Sequence, residues 1–180
     1  GFFDLVGDLL DLPIVARMSP DEVPRVHDIG HQIYNYSMPQ GGEEQPFKYR
    51  YFFGHWLLRS GMDGSRTYAY QHGFGLGESM GRPWDDFDNA IYRPHMLTYP
   101  TVDGIVGTLQ WEGVRAAVTD VRYATTLRQV AAAAIGSGTP LAVSLGEAAR
   151  AWLEQVDITG NLGAVRRGMV DRILELQRIM

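Results

Sequence analysis

Residues Tyr99–Tyr123 read YPTVDGIVGTLQWEGVRAAVTDVRY. A turn-rich segment, YPTVDG, runs directly into a long helical pattern predicted over 108–134. At about 100° per residue, Trp111, Val114, Val118 and Val121 fall on one apolar stripe, while Glu112, Arg115, Thr119 and Tyr123 share another face. Glu112 and Arg115 stand at i,i+3, the spacing of a helix-surface ion pair. A carboxylate in the first turns also suits the positive end of the helix dipole.

Upstream of this stretch, helical and strand patterns alternate. Phe2–Leu10 has the apolar spacing of a short amphipathic helix. LPIVARM, residues 12–18, is a compact apolar run of the kind that forms a buried parallel strand. Ser19, Pro20 and Glu22 make a helix start, and Gly30 stops that helix. QIYNYS at 32–37 is the next strand. A helix over Lys48–Ser60 closes on Gly61, and SRTYAYQ at 65–71 is the third strand. Strand–helix–strand–helix–strand–helix order predicts an α/β fold with parallel pairing through right-handed crossovers. His72–Asp103 follows as a loop of about thirty residues. Loops beyond about 15 residues are uncommon in compact domains unless they carry function. After the linker GSGTP come two helices, Ser144–Gln155 and about Gly163–Ile179.

The YPTVDG loop and its helix resemble the C-terminal end of the barrel of bacterial glycoside hydrolases, where a YPGPDG-like loop precedes an R-L-E-x-L-R-x-G-I-E-D-Y-E-Y-L-like helix. The matching residues are Tyr99, Pro100, Asp103, Gly104, Glu112, Arg115, Asp120 and Tyr123. The family's second acid is Thr119 here, and its usual glycine is Ala117. SGMDGSRTYAYQHG at Ser60–Gly73 is similar to the same family. The resemblance implies the C-terminal part of a (β/α)8 TIM-type barrel over 1–135 and a terminal helical extension over 136–180. It is of the β-N-acetylgalactosaminidase-like type, which retains configuration by substrate assistance. In that chemistry an adjacent Asp-Glu pair on an earlier strand does the catalysis, a pair that would precede Gly1. The catalytic residues are therefore unknown within this chain. An extracellular or periplasmic compartment is also implied.

Length and composition set further bounds. The chain has 180 residues, while a whole (β/α)8 barrel takes about 250. Net charge is −5 with mixed signs along the chain, which argues against nucleic acid or an anionic membrane. There is no cysteine. No run approaches the roughly 18 apolar residues of a membrane span. GFFDLVGDLLDL lacks a basic start and holds three acids, unlike a signal peptide. A partial barrel would leave sheet edges open, so association with an N-terminal barrel half or with a second copy is expected.

In parallel α/β folds, ligands meet the C-terminal strand ends. Tyr36 and Tyr70 end two predicted strands, Gln71 follows Tyr70, and Tyr68 and Tyr70 are expected inside the barrel. GRPWDDFDN at 81–89 sets Trp84 beside Asp85 and Asp86. Aromatic faces stack on the C–H faces of sugars, and carboxylates accept hydrogen bonds from sugar hydroxyls. Tyr36, Tyr70, Gln71, Trp84, Asp85 and Glu112 are thus the candidate substrate-binding residues. Two bland readings stand beside this one: Trp84 as a pin for a long loop, and Glu112–Arg115 as a structural ion pair. An ordinary glycosidase needs two carboxyls about 5–10 Å apart, and the predicted strands offer no acid at their ends. Asp85, Asp86, Asp88 and Asn89 miss the EF-hand spacing, and the five histidines show no paired ligand spacing. No metal and no cofactor are expected. A non-catalytic carbohydrate-binding or scaffold module is the alternative reading.

Overall fold

Ile14–Val15 (β1), Tyr34–Asn35 (β2) and Gly64–Ser65 (β3) lie side by side as parallel strands in that order. In this computed structural model residues 4, 7–16, 21–36, 44–72, 84 and 95–180 are described. The chain falls into two compact units, Gly1–Ala117 and Val118–Met180.

The first unit starts from the helix Glu22–Asp28, whose Val23 and Val26 are buried with Ile33 and backed by Val15 and Met62. Gly30, at φ 82°, turns the chain out of that helix, and its N–H bonds the His27 carbonyl at 2.8 Å. Ser19 and Pro20, the expected cap, lie outside the described residues. A continuous helical stretch follows, α-helical over Pro46–Arg50, a π-turn over Tyr51–Trp56, and α-helical again over Leu57–Ser60. Gly61 ends it at φ 75°, a left-handed position where glycine carries no Cβ penalty.

The fold is helix-rich, and the expected barrel portion does not form. Four observations overturn it. The parallel strands are two residues long, and Ile14 is 51% exposed, so LPIVARM does not have the two covered faces of a barrel strand. The third strand is Gly64–Ser65, and most of SRTYAYQ leaves the ladder. Tyr68 and Tyr70 are exposed and do not fill an interior. Gln71–His72 (β4) then pairs antiparallel with His95–Met96 (β5), which breaks the parallel sequence that a barrel requires. The physical cause at β3 is local: a Cβ on Gly64 would meet the Tyr34 ring at 2.6 Å, and Arg66 lies over the same ring at 5.0 Å. The ladder closes around Tyr34 and the chain moves away.

Part of the expected 72–103 loop and the YPTVDG segment belong to a hairpin. Thr98–Pro100 (β6) pairs antiparallel with Ile105–Gly107 (β7), and the Thr101 N–H bonds Gly104 O at 2.8 Å across the turn. Thr108 connects hairpin to helix. Its hydroxyl donates to Leu97 O at 2.8 Å and accepts from the Trp111 N–H at 3.2 Å, an N-cap for the helix Leu109–Gly136.

That helix buries a different stripe from the one its valines suggest. Gln110, Gly113, Ala117, Asp120, Ala124, Leu127, Ala131 and Ala134 are buried, whereas Val118 is 50% exposed. Small residues win because they let backbones approach. A Cβ on Gly113 would lie 2.4 Å from Pro46 O and 2.9 Å from Tyr49 Cβ; one on Gly54 would meet Ala117 Cα at 3.2 Å. The lost apolar area per residue is offset by close-packed backbone contact.

The second unit comprises the rest of the long helix with Pro140–Gln155 and Leu162–Ile179. Short connections join them, as in helical bundles. Ala142, Gly146, Ala149 and Leu153 of one helix and Leu162, Val165, Met169, Ile173 and Leu176 of the next are buried at three- and four-residue steps. Gly146 sits against Ala131 O, where a Cβ would come to 2.8 Å. Asn161 caps the last helix by accepting from the Ala164 N–H at 3.0 Å.

Candidate functional site

Strand β6 organises three of the six expected site residues. The Tyr70 carbonyl accepts the N–H groups of both Leu97 and Thr98 at 3.1 Å, which fixes Tyr70 beside the start of the hairpin. Gln71 donates from Nε2 to Thr98 Oγ1 at 3.1 Å, and Thr98 is fully buried. The Trp84 indole N–H donates to Pro100 O at 2.8 Å. Its ring tilts 34° against Tyr99 with centroids 4.9 Å apart. Tyr70 meets Trp111 edge-on at 5.8 Å.

Strand alternation places these contacts on two sides of the hairpin. Thr98 lies opposite Gly107, and Gly107 faces the Trp111 ring, where a Cβ would come within 2.7 Å. Gln71, Tyr70 and Trp111 therefore gather on the Thr98–Gly107 side. Tyr99 lies opposite Val106, so Trp84 and Tyr99 occupy the other side. Tyr36 stands apart from both, at the end of β2, where its N–H bonds Val15 O at 2.9 Å. Asp85 lies outside the described residues, as do Asp86, Asp88 and Asn89.

The two rings of the candidate site differ in how they are held. Tyr70 is 49% exposed with one edge on Trp111. Trp84 is 61% exposed even though a hydrogen bond and Tyr99 fix its orientation. An indole left in water forgoes about 2 kcal/mol or more of burial free energy. Its N–H bond and the Tyr99 ring hold the exposed indole in one orientation.

The carboxylates of the family-like motif are tied to structural partners. Glu112 receives Arg115 Nη1 on both oxygens, at 2.7 and 2.9 Å, and both side chains are exposed. Asp120 is 1% exposed and accepts from Arg166 Nε at 2.5 Å. Asp63, from the SGMDG segment, accepts the Ile33 N–H at 2.8 Å and pairs with His27 at 3.0 Å. Burial opposes its charge, but the Ile33 and His27 hydrogen bonds outweigh that and hold its pKa below the usual carboxylate value. These groups organise the chain. Glu112 forms the i,i+3 ion pair with Arg115 that its spacing predicts.

Tyr99 and Trp111 are ring partners of the candidate site that the sequence places only in the family-like loop and on the apolar stripe. The signal for Tyr99 was present: TYP and IVG flank a four-residue turn, which is a hairpin pattern. Trp111 carries no such signal, since its helical spacing with Val114 reads as part of an apolar stripe.

Among the described residues no group of three or more His, Cys, Asp or Glu side chains could hold a metal ion, and no helix is long and apolar enough to cross a membrane. No family model matches the chain, and no curated protein is significantly similar to it.

Proposed function

We propose that this chain binds carbohydrate through the aromatic surface of the 98–107 hairpin, in the service of glycoside hydrolysis. The observation that carries this reading is Trp84: an exposed indole, oriented by Pro100 O and Tyr99, has the form of a sugar-stacking platform. Tyr70 and Gln71 offer a second aromatic face and an amide on the other side of the same strand. The resemblance of Tyr99–Tyr123 to glycoside hydrolases supports the substrate class. The role assigned here is binding rather than catalysis, because Glu112, Asp120 and Asp63 are each engaged by a cation or a backbone N–H.

Affinity electrophoresis of the chain through gels containing neutral polysaccharides, run beside an aryl glycoside hydrolysis assay, tests both halves of the reading. Retardation without hydrolysis is the expected result. Migration unaffected by every polysaccharide removes the binding claim. Robust hydrolysis that a single Asp→Asn change abolishes removes the claim that the chain only binds.

A further inference from the structure

The second unit holds a cleft of about 370 Å³ lined by Arg128 and Ala132 of the long helix and Arg150, Leu153 and Glu154 of the next helix. That volume is at the lower end of small-molecule sites, which run about 300–1,000 Å³. Among the described arginines, Arg25 pairs with Asp4, Arg115 with Glu112 and Arg166 with Asp120, and Arg66 lies over Tyr34 and Arg172 over Trp152, whereas Arg122, Arg167 and Arg178 make no such contact. Arg128 and Arg150 make no ion pair among the described residues, although Glu154 lines the same cleft. Sequence explains Arg128, since its helical neighbours at three and four residues are Ala124, Thr125, Ala131 and Ala132. Arg150 has Glu147 and Glu154 within helical reach and still makes neither pair.

Two unengaged guanidinium groups at one cleft in a chain of net charge −5 form a local positive site. The planar fork of each matches the two oxygens of a carboxylate or sulfate. Ala132 and Leu153 give the cleft an apolar lining, and Glu154 adds a single acceptor for a hydroxyl. A bare anion would be repelled by Glu154 and would leave the apolar lining unused. An oxyanion carried on a sugar ring satisfies every lining group. We infer that this cleft binds an acidic saccharide, with Arg128 and Arg150 on its carboxylate or sulfate and Glu154 on a neighbouring hydroxyl. The anionic half stands on the cleft alone, while the sugar half rests also on the carbohydrate reading above.

The test is a titration of the isotopically labelled full chain, followed by backbone amide shifts, with glucuronate, glucose and inorganic sulfate in separate arms. Saturable shifts centred on Arg128–Ala132 and Arg150–Glu154 are expected with glucuronate, with none from glucose and at least tenfold weaker binding of sulfate. Arg128→Ala and Arg150→Ala should each weaken glucuronate about tenfold, the scale of one lost charged hydrogen bond. Glu154→Gln should narrow the preference for glucuronate over sulfate. The same spectra report whether each variant is folded. Trp84→Ala should leave the glucuronate shifts unchanged, which separates this cleft from the hairpin surface. Absence of saturation, or arginine variants that bind normally, overturns the site. Sulfate binding as tight as glucuronate overturns its assignment to a sugar.

Discussion

Asp120 and Arg166 meet at 2.5 Å across 46 residues of chain, with the aspartate buried and the arginine side chain about one-third exposed. The pair ties the long helix to the last helix within the second unit. Breaking a buried pair by removing one partner costs about 3–5 kcal/mol because it leaves a charge uncompensated. Water can reach Arg166 here, so Asp120→Ala is expected to cost less, about 2–3 kcal/mol. Urea unfolding of the full chain measures it, and a change below about 0.5 kcal/mol, the range of ordinary surface substitutions, contradicts the structural role.

Two glycines on the long helix should respond with opposite signs. Gly113→Ala places a methyl 2.4 Å from Pro46 O, so the backbones must separate. Overpacking of this kind costs about 1–3 kcal/mol, more than the roughly 1 kcal/mol that alanine gains in helix propensity. Gly136 has open space around it. Gly136→Ala should therefore stabilise by up to about 1 kcal/mol. Thermal melts of the two variants decide the matter, and equal shifts contradict the close-approach account.

Part of the acid sensitivity should trace to Asp63. Its folded pKa lies below the unfolded value despite the cost of burial, because Ile33 N–H and His27 favour the carboxylate. A depressed carboxylate pKa contributes stability that is present above the unfolded pKa of about 3.9 and is lost as pH falls through the folded value. Asp63→Asn should flatten the stability profile below about pH 4 and lower the plateau at neutral pH. Denaturant midpoints between pH 3 and 7 test this, and parallel curves for the two proteins contradict it.

Local punctuation was legible from sequence, and long-range geometry was not. Gly30 and Gly61 end their helices at positive φ, as a glycine after an apolar-periodic run signals. The parallel neighbours β1, β2 and β3 follow from alternating strand and helix patterns. The stripe Gly113–Ala117–Asp120–Ala124 is not legible from hydrophobicity, which ranks valine above glycine, whereas helix packing selects small residues for close approach. Burial of Asp120 depends on Arg166, far away in sequence. The antiparallel β4–β5 pair depends on partners some two dozen residues apart, which periodicity does not reveal. Of the candidate site, Tyr70 and Gln71 stand out by their place at a predicted strand end and Trp84 by its residue type in a long loop, and β6 gathers the three on its two sides. Tyr36 lies on a separate sheet.

Trp84→Ala is the most direct test of the carbohydrate reading. Calorimetric titration with a panel of β-linked N-acetylgalactosaminides and neutral gluco-oligosaccharides should find a ligand for the unaltered chain. Loss of the stacking face should weaken that ligand by about 1–3 kcal/mol, the scale of one aromatic side chain's burial. Trp84 is largely exposed, so the melting temperature should hardly move. The account is contradicted if no member of the panel binds, or if Trp84→Ala lowers the melting temperature while leaving sugar affinity intact.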